Sequence, residues 1–178
     1  MNQYKKIIYF FILSLLVVVL QFSFFNTLSF SLFRINLALF LVIWYFIFKD
    51  FNSSVLLALF LGLFLDLFSF SFFGAYIISF LLTLIIAKLA WNNLFTNRSV
   101  YSFSLMTVIF ALFFNLFLYL FIFLGESSFF GLWWFNKFFW FNLLVEIFYL
   151  NLGIIISFYL IGSKQSFRGT LVFDKNKF

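Results

Sequence analysis

Apolar residues run along this chain in six blocks, each ended by a short polar or charged interruption. The blocks fall at 7–25, 35–48, 54–72, 75–95, 100–124 and 138–162. Within them the hydrophobicity is continuous and does not alternate, which argues for helices and against the strands of a membrane barrel. About 20 consecutive apolar residues are needed to carry a helix across a bilayer, and five of the blocks reach that length. The second, INLALFLVIWYFIF, falls short. It spans only by reaching back through Arg34, whose long side chain can snorkel outward. The pattern therefore predicts an all-α, polytopic membrane helix bundle of six transmembrane helices, with five spans plus a re-entrant segment as the alternative. One transmembrane domain covers 1–162, and a basic tail follows over 163–178.

Composition agrees with that reading. The chain is 66% apolar and 9% charged, against about half and about a quarter in soluble domains. So few charges cannot cover a surface in water, so the surrounding solvent is lipid. Thirty-seven Phe beside no Pro resemble the product of AT-rich coding, and they read as lipid-facing and packing residues. Cys and His are absent. Disulfides, thiol redox chemistry and every His- or Cys-based catalytic arrangement are thereby excluded. The first block has a basic flank at Lys5 and Lys6, but its exit QFSFFN lacks a small-x-small cleavage site, so it reads as a retained helix.

Basic residues set an orientation. With a cytoplasmic N-terminus and six spans, the inside holds Lys5, Lys6, Lys49, Lys88, Arg98, Lys164, Arg168, Lys175 and Lys177, while the outside holds Arg34 and Lys137. That bias follows the positive-inside rule and puts both termini in the cytoplasm. The outer segment ESSFFGLWWFNKFFW sets Trp133, Trp134 and Trp140 beside Lys137 and Glu126, as at a membrane–water interface. The tail, with four cations against Asp174, is expected to attract anionic lipid or an acidic partner on the cytoplasmic side.

The few polar groups inside the blocks gather at one level. By helical rise, Asp66 lies about 9 Å and Glu146 about 12 Å below the outer ends of their helices. Asn115 and Asn142 fall near that depth, and Gln21, Arg34 and Asn36 approach it from the outer rim. Lys88 and Asn151 belong to the other half. A bare carboxylate near mid-membrane costs about 2.5–3.5 kcal/mol on insertion scales. Arg34 is the cation within reach, so an Arg34–Asp66 pair is expected, with Glu146 sharing it or held neutral. Small residues recur every fourth position at Ser54, Ala58, Gly62 and Asp66, and again at Ala75, Ser79, Thr83 and Ala87. Such stripes let two membrane helices approach closely. Asp66 is thus expected to point along the seam between the third and fourth helices.

No arrangement of nucleophile and base, no paired acids in water and no phosphate-cradling Gly loop is present, so no enzyme, metal or cofactor is expected. Two readings remain: a small-ligand binding subunit open on the outer side, and a scaffold whose polar layer fixes packing or docks another protein.

The stretch ALFLGLFLDLFSFSFFGAYIISFLL resembles the signature of the MreD family of rod shape-determining membrane proteins, a G-L-x-x-D-x-x-S-G-x-x-x-G run. Gly62, Leu63, Asp66, Ser69 and Gly74 match it without a gap. Arg34, Asn36 and Leu37 are similar to that family's Arg-Pro-Asp/Asn-Leu segment, and Leu20 and Gln21 to its Leu-Gln-Ser stretch. Ile35, Phe70 and Phe72 depart from the usual Pro, Gly and Pro. The resemblance covers about residues 15–95. It implies a noncatalytic scaffold in the bacterial inner membrane, binding an MreC-like bitopic periplasmic protein. Through that protein it would be linked to the elongation transpeptidase and glycosyltransferase and to MreB filaments, with no nucleic-acid partner. It also implies a fold similar to the substrate-binding S components of energy-coupling-factor vitamin transporters, the alternative function. The residues it singles out for packing or partner contact, together with the polar layer, are Arg34, Asn36, Gly62, Asp66, Ser69, Gly74, Asn115, Asn142 and Glu146.

Overall fold

A computed structural model describes residues 3–25, 36–69, 73–94, 100–125 and 137–166. The described residues form six helices: α1 (Gln3–Leu20), α2 (Leu37–Phe48), α3 (Phe51–Phe68), α4 (Ala75–Leu94), α5 (Val100–Gly125) and α6 (Lys137–Ser166). The end of α1 loosens into a π-helical segment, Gln21–Phe25. There are no strands among the described residues. Five of the helices, all but α2, are long and apolar enough to cross a membrane, and the protein is an all-α polytopic bundle. Arg34, the segment from 126 to 136 with its paired tryptophans, and the tail from 167 onward lie outside the described residues.

Ring contacts fix how the helices alternate. Phe46 and Phe48 at the end of α2 meet Phe51 at the start of α3, Trp91 at the end of α4 and Phe103 at the start of α5. Phe103 also stacks on Trp91 at 5.9 Å and meets Phe158 near the end of α6. These rings close one end of the bundle, the aromatic end. At the other end Phe22, beyond α1, meets Phe68 of α3, and Tyr119 of α5 meets Phe139 of α6. Successive helices therefore run up and down. Lys88 sits near the aromatic end with its ammonium 4.1 Å from the centre of the Phe51 ring, well away from Asp66.

The short second helix is the core. Ala38, Leu39, Val42 and Ile43 are fully buried, and no residue from 37 to 48 is exposed. Its 12 residues cover only about 18 Å against about 30 Å of hydrocarbon. A helix that touches protein on every side does not have to match the bilayer thickness, because its neighbours, and not lipid, receive its ends. The outer helices face lipid instead, with exposed apolar residues such as Ile8, Ile12, Leu144 and Phe148.

The predicted stripes meet as expected. Ser54, Ala58 and Gly62 on α3 and Ala75, Ser79, Thr83 and Ala87 on α4 are all buried. A Cβ on Gly62 would lie 2.7 Å from the Ile77 Cα, a backbone contact that no side-chain movement relieves. The Ser79 and Thr83 hydroxyls donate to the carbonyls of Ala75 and Ser79 on their own helix, both at 2.6 Å. They fill the seam without needing a partner across it. We predict that Gly62→Ala destabilises the protein by about 1–3 kcal/mol through overpacking, whereas Leu63→Ala, at a neighbouring lipid-facing position, costs clearly less. Thermal unfolding of both variants in detergent checks this.

Candidate functional site: a layer of helix caps

The first turn of any helix leaves backbone N–H groups without an intrahelical acceptor. Water satisfies them at a protein surface; inside a membrane it does not, and each bare group costs several kcal/mol. Counted from the exposed Lys49 at its far end, the start of α2 falls about 12 Å short of spanning the hydrocarbon. That start is a membrane-depth helix terminus, and the polar residues of the chain collect around it.

Asn36 is its N-cap. The Asn36 Oδ1 accepts from the Leu39 N–H at 3.1 Å, an ordinary Asn cap. The next free donor, the Ala38 N–H, is taken by the Gln21 Oε1 at 3.2 Å. Gln21 stands where α1 loosens into its π-helical turn, and the wider turn is where α1 presents this amide to α2. One helix thus caps the next.

Below the same terminus lies Glu146 of α6. Its Oε2 accepts from the Asn115 Nδ2 at 2.9 Å, and the Asn36 side-chain amide lies close to it. Asn115 donates in addition to the Ala111 carbonyl at 2.9 Å, which holds its amide against its own helix. Glu146 is nine residues into α6 and Asn115 ten from the end of α5, depths of about 13 and 15 Å. These agree with the position of the α2 terminus. Asn36, Asn115 and Glu146 therefore join α2, α5 and α6 by side chains alone. The positive end of the α2 dipole faces the carboxylate.

Asp66 works by the same logic at a shallower level. It lies two residues before the end of α3, about 3 Å from that end; the span expected to run on to 72 stops at Phe68, so the 9 Å depth is not observed. A carboxylate in a last helical turn opposes its own helix dipole. Its partner is the start of α4: the Tyr76 N–H donates to Oδ1 at 2.9 Å and the Ile77 N–H to Oδ2 at 3.3 Å. The Gly74 N–H is directed at it as well. Asp66 is 4% exposed. Hydrogen bonds to a charged acceptor contribute about 1.5–3 kcal/mol each, so two of them offset the insertion cost of about 2.5–3.5 kcal/mol without a cation.

Gly74 makes that return possible. Its φ is +98°, left-handed backbone that other residues adopt only at about 1–2 kcal/mol, and it turns the chain so that the start of α4 falls on Asp66. Ser69 closes α3, its N–H donating to the Leu65 carbonyl at 2.7 Å. Tyr76 lies within electrostatic range of Asp66, Glu146 and Tyr119.

Of the residues named from sequence, Asn36, Asn115 and Glu146 come together, and Gly62, Asp66, Ser69 and Gly74 form a separate α3–α4 corner. Asn142 is half-buried one turn before Glu146 but takes no part in the described contacts. Arg34 lies outside the described residues, and so does the expected pair with it; the described contacts of Asp66 are backbone donors. Sequence reasoning missed the caps, Tyr76, and a second α5–α6 rung in which the Ser104 hydroxyl donates to the Asn151 Oδ1 at 2.8 Å. Every buried side-chain N or O atom among the described residues has a hydrogen-bond partner. No protein family matches the chain, nor does any curated protein or solved structure.

We predict that Asp66→Ala, which strips the acceptor from two α4 donors, destabilises the protein by about 1–3 kcal/mol per stranded group. Asp66→Asn, which keeps one acceptor oxygen, retains at least half of that stability; unfolding in detergent compares them. A double-mutant cycle on Asn115→Ala and Glu146→Ala gives a coupling of about 1 kcal/mol, within the range for membrane hydrogen bonds, and strict additivity removes the pair.

Proposed function

We propose that this protein is a noncatalytic membrane scaffold of the bacterial cell-elongation machinery. It would act in cell shape and lateral peptidoglycan synthesis by binding an MreC-like periplasmic protein, with both termini in the cytoplasm. One observation carries the reading: the three landmark positions of the MreD-like motif meet at a single corner. Gly62 admits the α4 backbone, Gly74 turns the chain, and Asp66 caps the helix that results. Residues so engaged hold a frame and leave recognition to the surface that the frame presents. The positive-inside count supports the orientation.

A second reading has its own support. Glu146, Asn36, Asn115 and Tyr76 lie in the same half of the bundle, where a vitamin-binding S component would hold its ligand.

Depletion in the native bacterium, followed by microscopy and affinity purification, separates the two. The scaffold reading expects cells that lose rod shape and co-purification with a bitopic periplasmic protein. Complementation by Asp66→Asn restores rods more fully than complementation by Asp66→Ala. Unchanged cell shape, with a vitamin retained at nanomolar affinity and an ATPase module as partner, contradicts it in favour of the second reading.

A further inference from the structure

The aromatic end of the bundle has a charge pattern that the helix caps do not use. Among the described residues it carries Lys5 and Lys6 on α1, Lys49 at the α2–α3 junction, Lys88 on α4 and Lys164 on α6, against one carboxylate, Asp50. The capped end holds Asp66, Glu146 and Lys137. Three tyrosines ring the aromatic end on different helices: Tyr4 is 80% exposed, Tyr101 87% and Tyr159 64%. Amphipathic rings at that height mark the level of the lipid headgroups.

Two of the lysines lie near the start of α3, Lys49 by its place in the chain and Lys88 by its contact. Lys49 is exposed and follows α2. Lys88 reaches the same place from α4, where its ammonium lies over the Phe51 ring at 4.1 Å, a contact that positions the charge without neutralising it. Asp50, next to Lys49 in the chain, supplies its carbonyl to the Ser53 and Ser54 N–H groups, both at 3.1 Å, while its side chain makes no cap bond. Both lysines are exposed at the end of the bundle that the aromatic cluster closes.

We infer that this face, centred on Lys49 and Lys88, binds the headgroups of anionic phospholipids. The partner is the lipid and not a free anion, because the tyrosine ring and the apolar flanks of α3 and α4 accept acyl chains beside the charges. Basic clusters at the ends of membrane helices recognise anionic lipid in this way.

The test is native mass spectrometry of the full chain in detergent, titrated with phosphatidylglycerol or with phosphatidylcholine of the same acyl chains. Phosphatidylglycerol is expected to bind more tightly. Each lysine near an anionic surface is worth about a fivefold change, so K88Q lowers that affinity about fivefold and K49Q/K88Q about 30-fold. K49R/K88R keeps it. Inorganic phosphate at the same concentration does not compete. Equal binding of the two lipids, phosphatidylglycerol binding unchanged in both glutamine variants, or full competition by phosphate overturns the proposal.

Discussion

A backbone N–H at the start of a helix needs an acceptor, and in hydrocarbon the protein itself has to supply one. This requirement organises the molecule. Because α2 is too short to bring its first turn to the membrane surface, its free donors are met by Asn36 from within and by Gln21 from α1. Because α3 turns back into α4 through a tight corner, the donors of α4 fall to Asp66. The apolar packing then follows. Once its terminus is satisfied, α2 can be walled in by other helices, and once Asp66 holds the start of α4, the small-residue seam can close until Gly62 meets the Ile77 backbone.

The same requirement explains why Gln21, Asn36, Asp66, Asn115 and Glu146 gather in one half of the bundle. Each lies at or beside a helix terminus, and none of Gln21, Asn36 or Asp66 has an acidic-to-basic pair as its described contact. Glu146 extends the arrangement sideways: Asn36 caps α2 with its oxygen and reaches Glu146 with its amide, and Asn115 completes the link to α5. The opposite end is held differently, by interlocking rings around Phe46, Trp91 and Phe103. One end is thus held by directional hydrogen bonds at helix termini, the other chiefly by dense ring packing.

Much of this was legible in the sequence. Continuous apolar blocks gave the helices, since a side chain's distaste for water is a local property. The fourfold repeat of small residues gave the α3–α4 seam, and helical rise placed Asn115 near the depth of Glu146. The partners of Asp66 were not legible. A carboxylate with an arginine at similar height suggests an ion pair, which lies outside the described contacts; backbone donors occur at every residue and leave no mark in the letters. The signal that pointed to them was Gly74, which says that the chain turns sharply enough for a helix to start within reach of Asp66. Asn36, an N-cap residue directly before an apolar run, could likewise have been read as a helix start. The role of Gln21 depends on a π-helical turn that has no sequence signature of its own.

Backbone amide exchange in lipid nanodiscs addresses the capping account most directly, because the protein contains its own comparison. Ala38, Tyr76 and Ile77 are first-turn amides with side-chain acceptors, whereas Asp50 gives α3 no side-chain cap. The account predicts that the first three exchange as slowly as helix-interior amides, while Phe51 and Asn52 at the start of α3 exchange fast. Exchange at Tyr76 and Ile77 as fast as at Phe51 would contradict it.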